Sequence, residues 1–147
     1  MKAMEKIRIN IKYTRGVQPI EPIEIGDWVD LRAAEDVTIK KGECAIIPLG
    51  VAMELPEGYE AYIAPRSSTF KKFGLLCANS IGIIDNSYRG EWSFAAYAIT
   101  DTKVNKNDRI AQFRIIRNQP SLEFNAVDEI DTNTARGEGG FGSTGVD

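Results

Sequence analysis

The chain has 147 residues, of which 43% are apolar and 27% are charged, and its 18 basic and 21 acidic residues leave a net charge of −3. That length suits one domain, and the slightly acidic balance argues against general nucleic-acid binding, which usually needs a basic surface. Histidine is absent, which excludes imidazole bases, Ser-His-Asp or Cys-His catalysis and every His-containing metal site.

The N-terminal segment and the cysteines favour a cytoplasmic protein. Residues 1–13 alternate charged and apolar side chains without a continuous apolar run, so we expect no signal peptide. The longest apolar stretch, Ala45–Met53, is interrupted by a proline and a glycine, so no segment is expected to cross a membrane. Cys44 and Cys77 form no CxxC pair. One disulfide between them is conceivable, but we favour two buried free thiols.

Alternation with a period of two predicts short, half-buried strands along most of the chain. Turn sequences rich in Gly, Pro and Asn separate these segments. Many short strands at roughly ten-residue spacing predict an all-β fold, an antiparallel sandwich or barrel. The alternating segments are Ile7–Ile11, Leu31–Ala33, Tyr59–Ala64, Trp92–Ala96 and Ile110–Ile116.

Only the segment Ser67–Phe73 has the features of a helix. Ser67 is a candidate N-cap, and Gly74 is a candidate for the position just past the C-terminal end. With Arg66 before it and the hydroxyls of Ser67 and Ser68 beside it, the helix start is a plausible phosphate site, because it offers free N–H groups. Simple capping of the helix backbone is the competing interpretation.

The segment Gly82–Glu91 reads as a strand, a tight turn and a second strand. Asp85 in such a turn usually bonds its own backbone, and Tyr88 usually packs. The functional alternative makes Asp85 a general base and Tyr88 the floor beneath a sugar. Gln112, on an otherwise apolar strand, would need a polar partner, and a ligand is one candidate.

The C-terminal residues differ in composition from the rest, because five of the thirteen glycines lie between Gly137 and Gly145. We predict a β-barrel domain over residues 1–134 and a flexible glycine-rich arm over residues 135–147. A tail without function is the simplest interpretation. The alternative is an arm that closes over a nucleotide, with arginine and hydroxyl groups on its phosphates and a phenylalanine on its base. The candidate residues are Arg136, Phe141, Ser143 and Thr144.

Together these segments resemble, in order and spacing, the five motifs of the trimeric deoxyuridine triphosphate nucleotidohydrolases, the dUTPases. The resemblance runs from about residue 25 to residue 145. Trp28 stands where the first motif usually has glycine, and Ser68 stands where the second often has glycine. We expect altered packing around Trp28 and little effect of Ser68. The matching segments are Asp30–Ala33, Ala64–Ser68, Asn79 with Gly82–Glu91, Arg109–Gln112 and Arg136–Gly145.

The resemblance implies a jelly-roll-like β-barrel with one short helix, assembled as a homotrimer. Each active site would take motifs one, two and four from one chain, motif three from a second chain and the arm from the third. The implied reaction converts dUTP and water to dUMP and pyrophosphate, by attack on the α-phosphorus with Mg²⁺ as cofactor. It would limit uracil in DNA and supply dUMP for dTMP synthesis.

The resemblance also implies a role for individual residues. Asp85 would deprotonate the attacking water, and Asp30 would hold Mg²⁺ through water. The uracil edge would be read by Asn79 and the backbone of Gly82 and Ile84, with Tyr88 under the sugar and Phe141 over the base. The remaining substrate-binding residues, most of them on the phosphates, would be Arg66, Ser67, Ser68, Gln112, Arg136, Gly142, Ser143 and Thr144.

Two alternatives to a dUTPase stay open. A dCTP deaminase shares the fold, but Tyr88 and the complete glycine arm favour the dUTPase. A non-catalytic nucleotide-binding relative is the second alternative, and the presence of Asp85 and Gln112 argues against it. Apart from the substrate and further copies of the chain, we expect no partner, neither nucleic acid nor membrane.

Overall fold

The computed structural model of the chain describes residues 5–143 and residue 145. Within these residues the chain forms eleven strands and one helix. In chain order they are β1 (Asn10–Tyr13), β2 (Val29–Arg32), β3 (Val37–Ile39), β4 (Cys44–Pro48), β5 (Val51–Glu54), β6 (Tyr59–Pro65), α1 (Ser67–Phe73), β7 (Leu75–Cys77), β8 (Gly82–Ile84), β9 (Ser93–Ala98), β10 (Thr102–Val104) and β11 (Arg109–Arg117).

The strands form antiparallel sheets around one core. The largest has the order β2-β11-β6-β8, a second has the order β4-β9-β7, and the pairs β1-β5 and β3-β10 complete the set. Their hydrogen-bonded ladders remain separate within the described residues. The predicted all-β, jelly-roll-like fold class is confirmed.

The core is filled by one side of each alternating strand. On β6, Ala61 and Ile63 are buried while their sequence neighbours are half-buried. Trp92 is fully buried, with its ring edge-on to Phe113 at 5.1 Å between centroids. The Trp92 indole N–H has no hydrogen-bond partner among the described residues. Each such large buried side chain stabilises the fold by about 1.5–3 kcal/mol relative to its exposed state.

The helix α1 begins at Ser67 itself, so the predicted N-cap role of Ser67 is wrong. Arg66, with an extended backbone, occupies the N-cap position instead. The C-terminal prediction is confirmed: Gly74 adopts a left-handed conformation with φ of 62° and closes the helix.

Two strand predictions differ from the structure. Strand β1 begins only at Asn10, because the residues that pair with β5 are Asn10–Tyr13. The segment after β8 forms no second strand of a hairpin, since β8 pairs with β6. A strand needs a pairing partner, and alternation alone does not identify it.

Both cysteines are free, but the expectation that they are buried is wrong for Cys44, which is exposed, while Cys77 is half-buried. Among the residues described, no helix has the length and apolarity needed to span a membrane.

The C-terminal segment leaves the sheets after β11. The N–H of Asn118 donates to the Gly58 carbonyl at 2.9 Å. Beyond it, the hydrogen bonds of the described residues join only near neighbours within the segment. Every residue from 117 to 138 is exposed. The division into residues 1–134 and 135–147 stays a prediction.

Candidate active site

Three neighbouring strands bring the first, second and fourth motifs together. Strand β11 lies between β2 and β6, and its Gln112 lies opposite both Asp30 on β2 and Ala64 on β6. Arg66 follows β6 directly, at the start of α1. The pairing register therefore places Asp30, Arg66 and Gln112 at one end of the same sheet.

A carboxylate lies between two guanidinium groups at this end. Arg66 Nε donates to Asp30 Oδ1 at 2.9 Å, and Arg109 Nη1 lies 3.4 Å from Asp30 Oδ2. Arg66 also donates through Nη1 to the Arg109 carbonyl at 3.4 Å. We call Asp30, Arg66, Arg109 and Gln112 the arginine cluster. Its two cations and one anion leave a positive charge in excess, which suits an anionic ligand.

A buried threonine fixes the start of the helix against β11. Thr69 is fully buried; its Oγ1 accepts from the Arg66 N–H at 3.0 Å and donates to the Ile110 carbonyl at 2.8 Å. Our sequence reasoning missed Thr69. The available signal was its spacing of four residues from Phe73, which places both on the buried face of the helix.

The other second- and fourth-motif residues lie beside the arginine cluster. Gln112 is half-buried, and its Nε2 donates to the Pro65 carbonyl at 3.0 Å, which supplies the expected polar partner from the backbone. Ser67 is exposed and Ser68 is half-buried. Among the described residues, neither serine hydroxyl has a hydrogen-bond partner, so both are available to a ligand at the helix start.

The third motif lines a separate cavity of about 340 Å³. Its wall includes Asn79 and the strand β8. The chain runs close to β6 here: a Cβ added to Gly82 would lie 3.2 Å from Ile63 Cβ. A pocket of this size can hold a small ligand such as a nucleoside. Its full lining is Ile63, Asn79, Gly82, Ile83, Ile84, Asp85, Tyr88, Glu91, Trp92 and Ser93.

A turn after β8 presents Asp85 and Tyr88. The Tyr88 N–H donates to the Asp85 carbonyl at 3.1 Å, and the Tyr88 hydroxyl donates to the Glu91 carbonyl at 2.9 Å. The tyrosine ring crosses Gly90 so closely that an added Cβ there would lie 2.4 Å from the hydroxyl oxygen. The Asp85 side chain is exposed, and its carboxylate has no hydrogen-bond partner in the described part of the chain.

Asn86 anchors this turn, and sequence reasoning missed that role. Its Nδ2 donates to the carbonyls of Leu55, Pro56 and Tyr59 at 3.3, 2.6 and 2.8 Å. These carbonyls lie about 30 residues earlier in the chain. The turn that carries Asp85 is thus tied to the loop between β5 and β6.

Asn79 and Glu91 have defined partners at the cavity. Asn79 is exposed, and its Oδ1 accepts from the Cys77 thiol at 3.2 Å. Burial raises the pKa of the Cys77 thiol. The Arg15 side chain donates to Glu91, and this hydrogen bond lowers the pKa of the Glu91 carboxyl.

The predicted site residues fall into three groups: the arginine cluster, the turn that carries Asp85, and the arm. Within the described residues, no hydrogen bond or ion pair connects the arginine cluster with the Asp85 turn. The arm meets neither group: Arg136 Nε donates to the nearby Gly139 carbonyl at 2.7 Å, and the Phe141 ring is fully exposed. Gly142 has φ of 87°, and the Ser143 N–H donates to Gly140. Thr144 lies outside the described residues.

A further cavity of about 400 Å³ borders the arginine cluster. The loop 17–25 and Trp28 form most of its wall, and Asp30 and Arg109 also line it. Trp28 is half-buried, and the Arg114 guanidinium lies 5.7 Å from its ring centre. Asp27 pairs with Arg114 at 3.1 Å. The tryptophan thus has its own packing arrangement in place of the glycine usual at this position.

The metal-ligating side chains at the arginine cluster can be compared with those that Mg²⁺ needs. No group of three or more Cys, Asp or Glu side chains able to hold a metal occurs among the residues described. Asp30 alone contributes a carboxylate to the cluster. Because Mg²⁺ keeps water ligands and binds largely through phosphate oxygens, this set suits an ion that a triphosphate carries and Asp30 contacts through water.

Comparisons with known proteins show which family and fold this chain is similar to. A family model described as dUTPase matches residues 29–145. The chain is 54% identical over 144 residues to the SPbeta prophage-derived deoxyuridine 5'-triphosphate nucleotidohydrolase YosS of Bacillus subtilis (strain 168), covering 95% of this chain and 99% of that protein. Its fold is similar to that of Staphylococcus bacteriophage 80alpha dUTPase with dUPNHPP, with a TM-score of 0.81 and 25% identity over 96% of this chain and 100% of that one.

The fold is also similar to that of a mutant dUTPase from phage phi11 of S. aureus. The TM-score is 0.74, with 20% identity over 84% of this chain and 98% of that one. That structure describes the coordination of a structural Mg(II) ion.

Proposed function

The chain belongs to the dUTPase family, and on that premise we propose that it hydrolyses dUTP to dUMP and pyrophosphate. The structural observation that most supports the proposal is the arginine cluster. Its excess positive charge lies beside the start of α1, where the unbonded serine hydroxyls and backbone N–H groups can donate hydrogen bonds to phosphate oxygens. A triphosphate is an anionic ligand that suits this excess of positive charge.

Asp85 is the proposed general base. It would take a proton from a water molecule whose oxygen forms a bond to the α-phosphorus. The bond from the α-phosphorus to the bridging oxygen would break, and pyrophosphate would leave. A carboxylate is a weak base, so the step depends on holding the water within hydrogen-bond reach and on stabilising the leaving group. The exposed, unpaired carboxylate of Asp85 is free for this role.

The arginine cluster and the helix start would hold the phosphate chain. We assign this binding to Arg66, Ser67, Ser68 and Gln112. Mg²⁺, when bound to the triphosphate, would neutralise charge on the leaving pyrophosphate, and Asp30 would hold it through water.

The 340 Å³ cavity would receive the deoxyuridine. Asn79 and the backbone groups of Gly82 and Ile84, which line this cavity, would pair with the uracil edge and leave no space for a methyl group on the base. A cytosine would leave these polar groups unpaired, which is a strong ground for rejection. Tyr88 would pack beneath the sugar and exclude a 2′-hydroxyl.

We further propose that the active unit is a homotrimer. Its support is that the arginine cluster, the Asp85 turn and the arm remain apart within one chain. The segment that leads to the arm also exposes four large apolar side chains that a partner could bury: Leu122, Phe124, Val127 and Ile130. In the trimer, Arg136, Phe141, Gly142, Ser143 and Thr144 would close over a neighbour's substrate. The enzyme would act on the nucleotides of the cytoplasm.

The test is pyrophosphate release with Mg²⁺ from dUTP, dCTP, dTTP and UTP in parallel, with ammonia followed for dCTP. Release from dUTP alone is the expected result. Ammonia from dCTP would identify a deaminase, and no turnover of any substrate would identify a binding protein.

A variant of the base tests the mechanism. Asp85→Asn keeps the size of the side chain but removes the proton acceptor, so kcat should fall by about 10²-fold or more. Binding of dUTP and the assembly state should be unchanged. Glu43→Gln, which alters an exposed carboxylate in the turn before β4, is the matched control and should retain full activity. A variant Asp85→Asn with normal kcat would refute the assignment.

A further inference from the structure

We propose that Arg15 and Glu91 form a positioning pair that holds the Tyr88 ring in place and thereby sets the discrimination between dUTP and UTP. The inference rests on the proposed function, because it assumes that Tyr88 packs beneath the sugar. Neither residue was among the predicted site residues.

Glu91 links the third motif to the turn after β1. Its carboxylate accepts from Arg15 Nε at 3.1 Å on Oε1 and at 2.9 Å on Oε2. The Thr14 hydroxyl also donates to Oε2, at 2.5 Å. Both carboxylate oxygens are therefore engaged, and all the donors come from residues about 76 positions earlier in the chain.

The turn that supplies these donors has an unfavourable backbone conformation. Arg15 has φ of 57° and the following Gly16 has φ of 65°, with the Val17 N–H donating to the Thr14 carbonyl at 3.2 Å. Such a φ is uncommon for a residue with a side chain and persists where the surroundings hold it. At Arg15 the surroundings are Glu91, the ion pair with Glu35 at 3.2 Å and the Lys106 Nζ that donates to its carbonyl.

Glu91, which accepts hydrogen bonds from Arg15, also accepts one from Tyr88. The Tyr88 hydroxyl donates to the main-chain carbonyl of Glu91 at 2.9 Å. The next residue, Trp92, fixes the main chain on the other side, since its N–H donates to the Val51 carbonyl at 2.8 Å. Glu91 is thus held by its side chain, and the carbonyl that orients the Tyr88 ring moves with it.

A small shift of this carbonyl changes what fits above the tyrosine. The ring lies so near Gly90 that a Cβ on that residue would be 2.4 Å from the Tyr88 hydroxyl oxygen, which leaves the ring little freedom to move in that direction. Loss of the pair would release it away from Gly90 and alter the space for a 2′-hydroxyl. An exposed ion pair with no such linkage would contribute little to stability and nothing to substrate choice.

The experiment measures kcat and KM for dUTP and UTP in Arg15→Gln, Glu91→Gln and the double variant. The ratio of kcat/KM for dUTP to that for UTP should fall about tenfold in each single variant, and no further in the double variant, because both remove the same pair. Arg15→Lys keeps the charge and one donating nitrogen, so its ratio should lie between those of Arg15→Gln and wild type. Glu35→Gln removes the other partner of Arg15 and is the matched control, with a ratio within about twofold of wild type.

An equal fall of kcat/KM for both substrates would overturn the proposal, because a merely structural pair affects them alike. An unchanged ratio would also overturn it. Equilibrium binding of dUMP and UMP, measured on the same variants, gives the ratio without turnover. A wild-type chain that fails to hydrolyse dUTP, with a binding ratio that still falls in the variants, would refute the proposed function and support the pair. If Glu91→Gln does not fold, the variants Thr14→Val and Arg15→Gln serve instead, because each removes a hydrogen-bond donor to the Glu91 carboxylate.

Discussion

Replacement of Thr69 by valine should weaken both the fold and the proposed phosphate site. The hydroxyl of Thr69 bridges two backbone groups, the Arg66 N–H at 3.0 Å and the Ile110 carbonyl at 2.8 Å. Valine has the same shape but neither donates nor accepts. A buried polar group left without its partner costs about 1–3 kcal/mol. Ile110 is fully buried and Arg66 half-buried, so the two losses together come to about 2–4 kcal/mol.

The added methyl group offsets part of this loss and introduces strain. Burial of one methyl contributes about 0.8 kcal/mol. A carbon atom cannot remain 2.8 Å from the Ile110 oxygen, so the helix start must shift, and Arg66 shifts with it. We expect a net destabilisation of about 1–3 kcal/mol, to which the strain adds, and a lower kcat/KM for dUTP.

Urea unfolding at one fixed protein concentration measures the effect, since assembly makes the midpoint depend on concentration. Thr69→Ser keeps the hydroxyl and loses one buried methyl, so it should cost only about 1 kcal/mol. The reasoning is refuted if Thr69→Val lies within about 0.5 kcal/mol of wild type, or if serine destabilises the protein as much as valine does.

Three other results follow from the structure. Gly90→Ala places a Cβ 2.4 Å from the Tyr88 hydroxyl and must displace the tyrosine ring. KM for dUTP should therefore rise about tenfold, with a smaller change in kcat. An unchanged KM would contradict the close contact. Truncation after Thr134 should lower kcat/KM by about 10²-fold or more while the unfolding midpoint stays constant, because the described arm residues bond only to one another and to the adjacent Thr134. A lower midpoint would show that the arm supports the sheets. Arg15 holds the pKa of Glu91 below its unfolded value, so the pair stabilises the fold at neutral pH and this contribution is lost as pH falls through the lowered pKa. Thermal unfolding of Glu91→Gln should therefore show a weaker dependence on pH below about pH 4.5 than wild type, and parallel curves would contradict this linkage.

Period-two alternation predicted the strands whose faces are half-buried. Strands β6 and β11 show why, since they pair over seven residues and each buries alternate side chains over part of its length. The same pattern failed over Ile7–Ile9, which pair with no strand among the described residues. It also suggested a hairpin after β8, whereas the partner of β8 is β6, which precedes the helix. Alternation reports which face is buried, and pairing with a strand distant in sequence is not encoded in it.

The candidate site shows the same limit. The motif resemblance made Asp30, Arg66 and Gln112 candidates, because their residue types and spacing match a known family. The residues that hold the site in shape are less visible, since their partners are backbone carbonyls of distant segments. Asn86 reaches three carbonyls about 30 residues away, and Thr69 reaches one 41 residues away. Their roles depend on the folded path of the chain, so a single sequence does not reveal them.

The separation of the arginine cluster from the Asp85 turn has a genetic consequence. If neighbouring chains supply the two parts, a copy that lacks Asp85 and a copy that lacks Arg66 are each inactive alone, yet each carries what the other has lost. Co-expressed, they would form mixed assemblies in which some sites draw Asp85 from one copy and Arg66 from the other. Two defective alleles of this gene would then complement each other, whereas two alleles defective in the same motif would not.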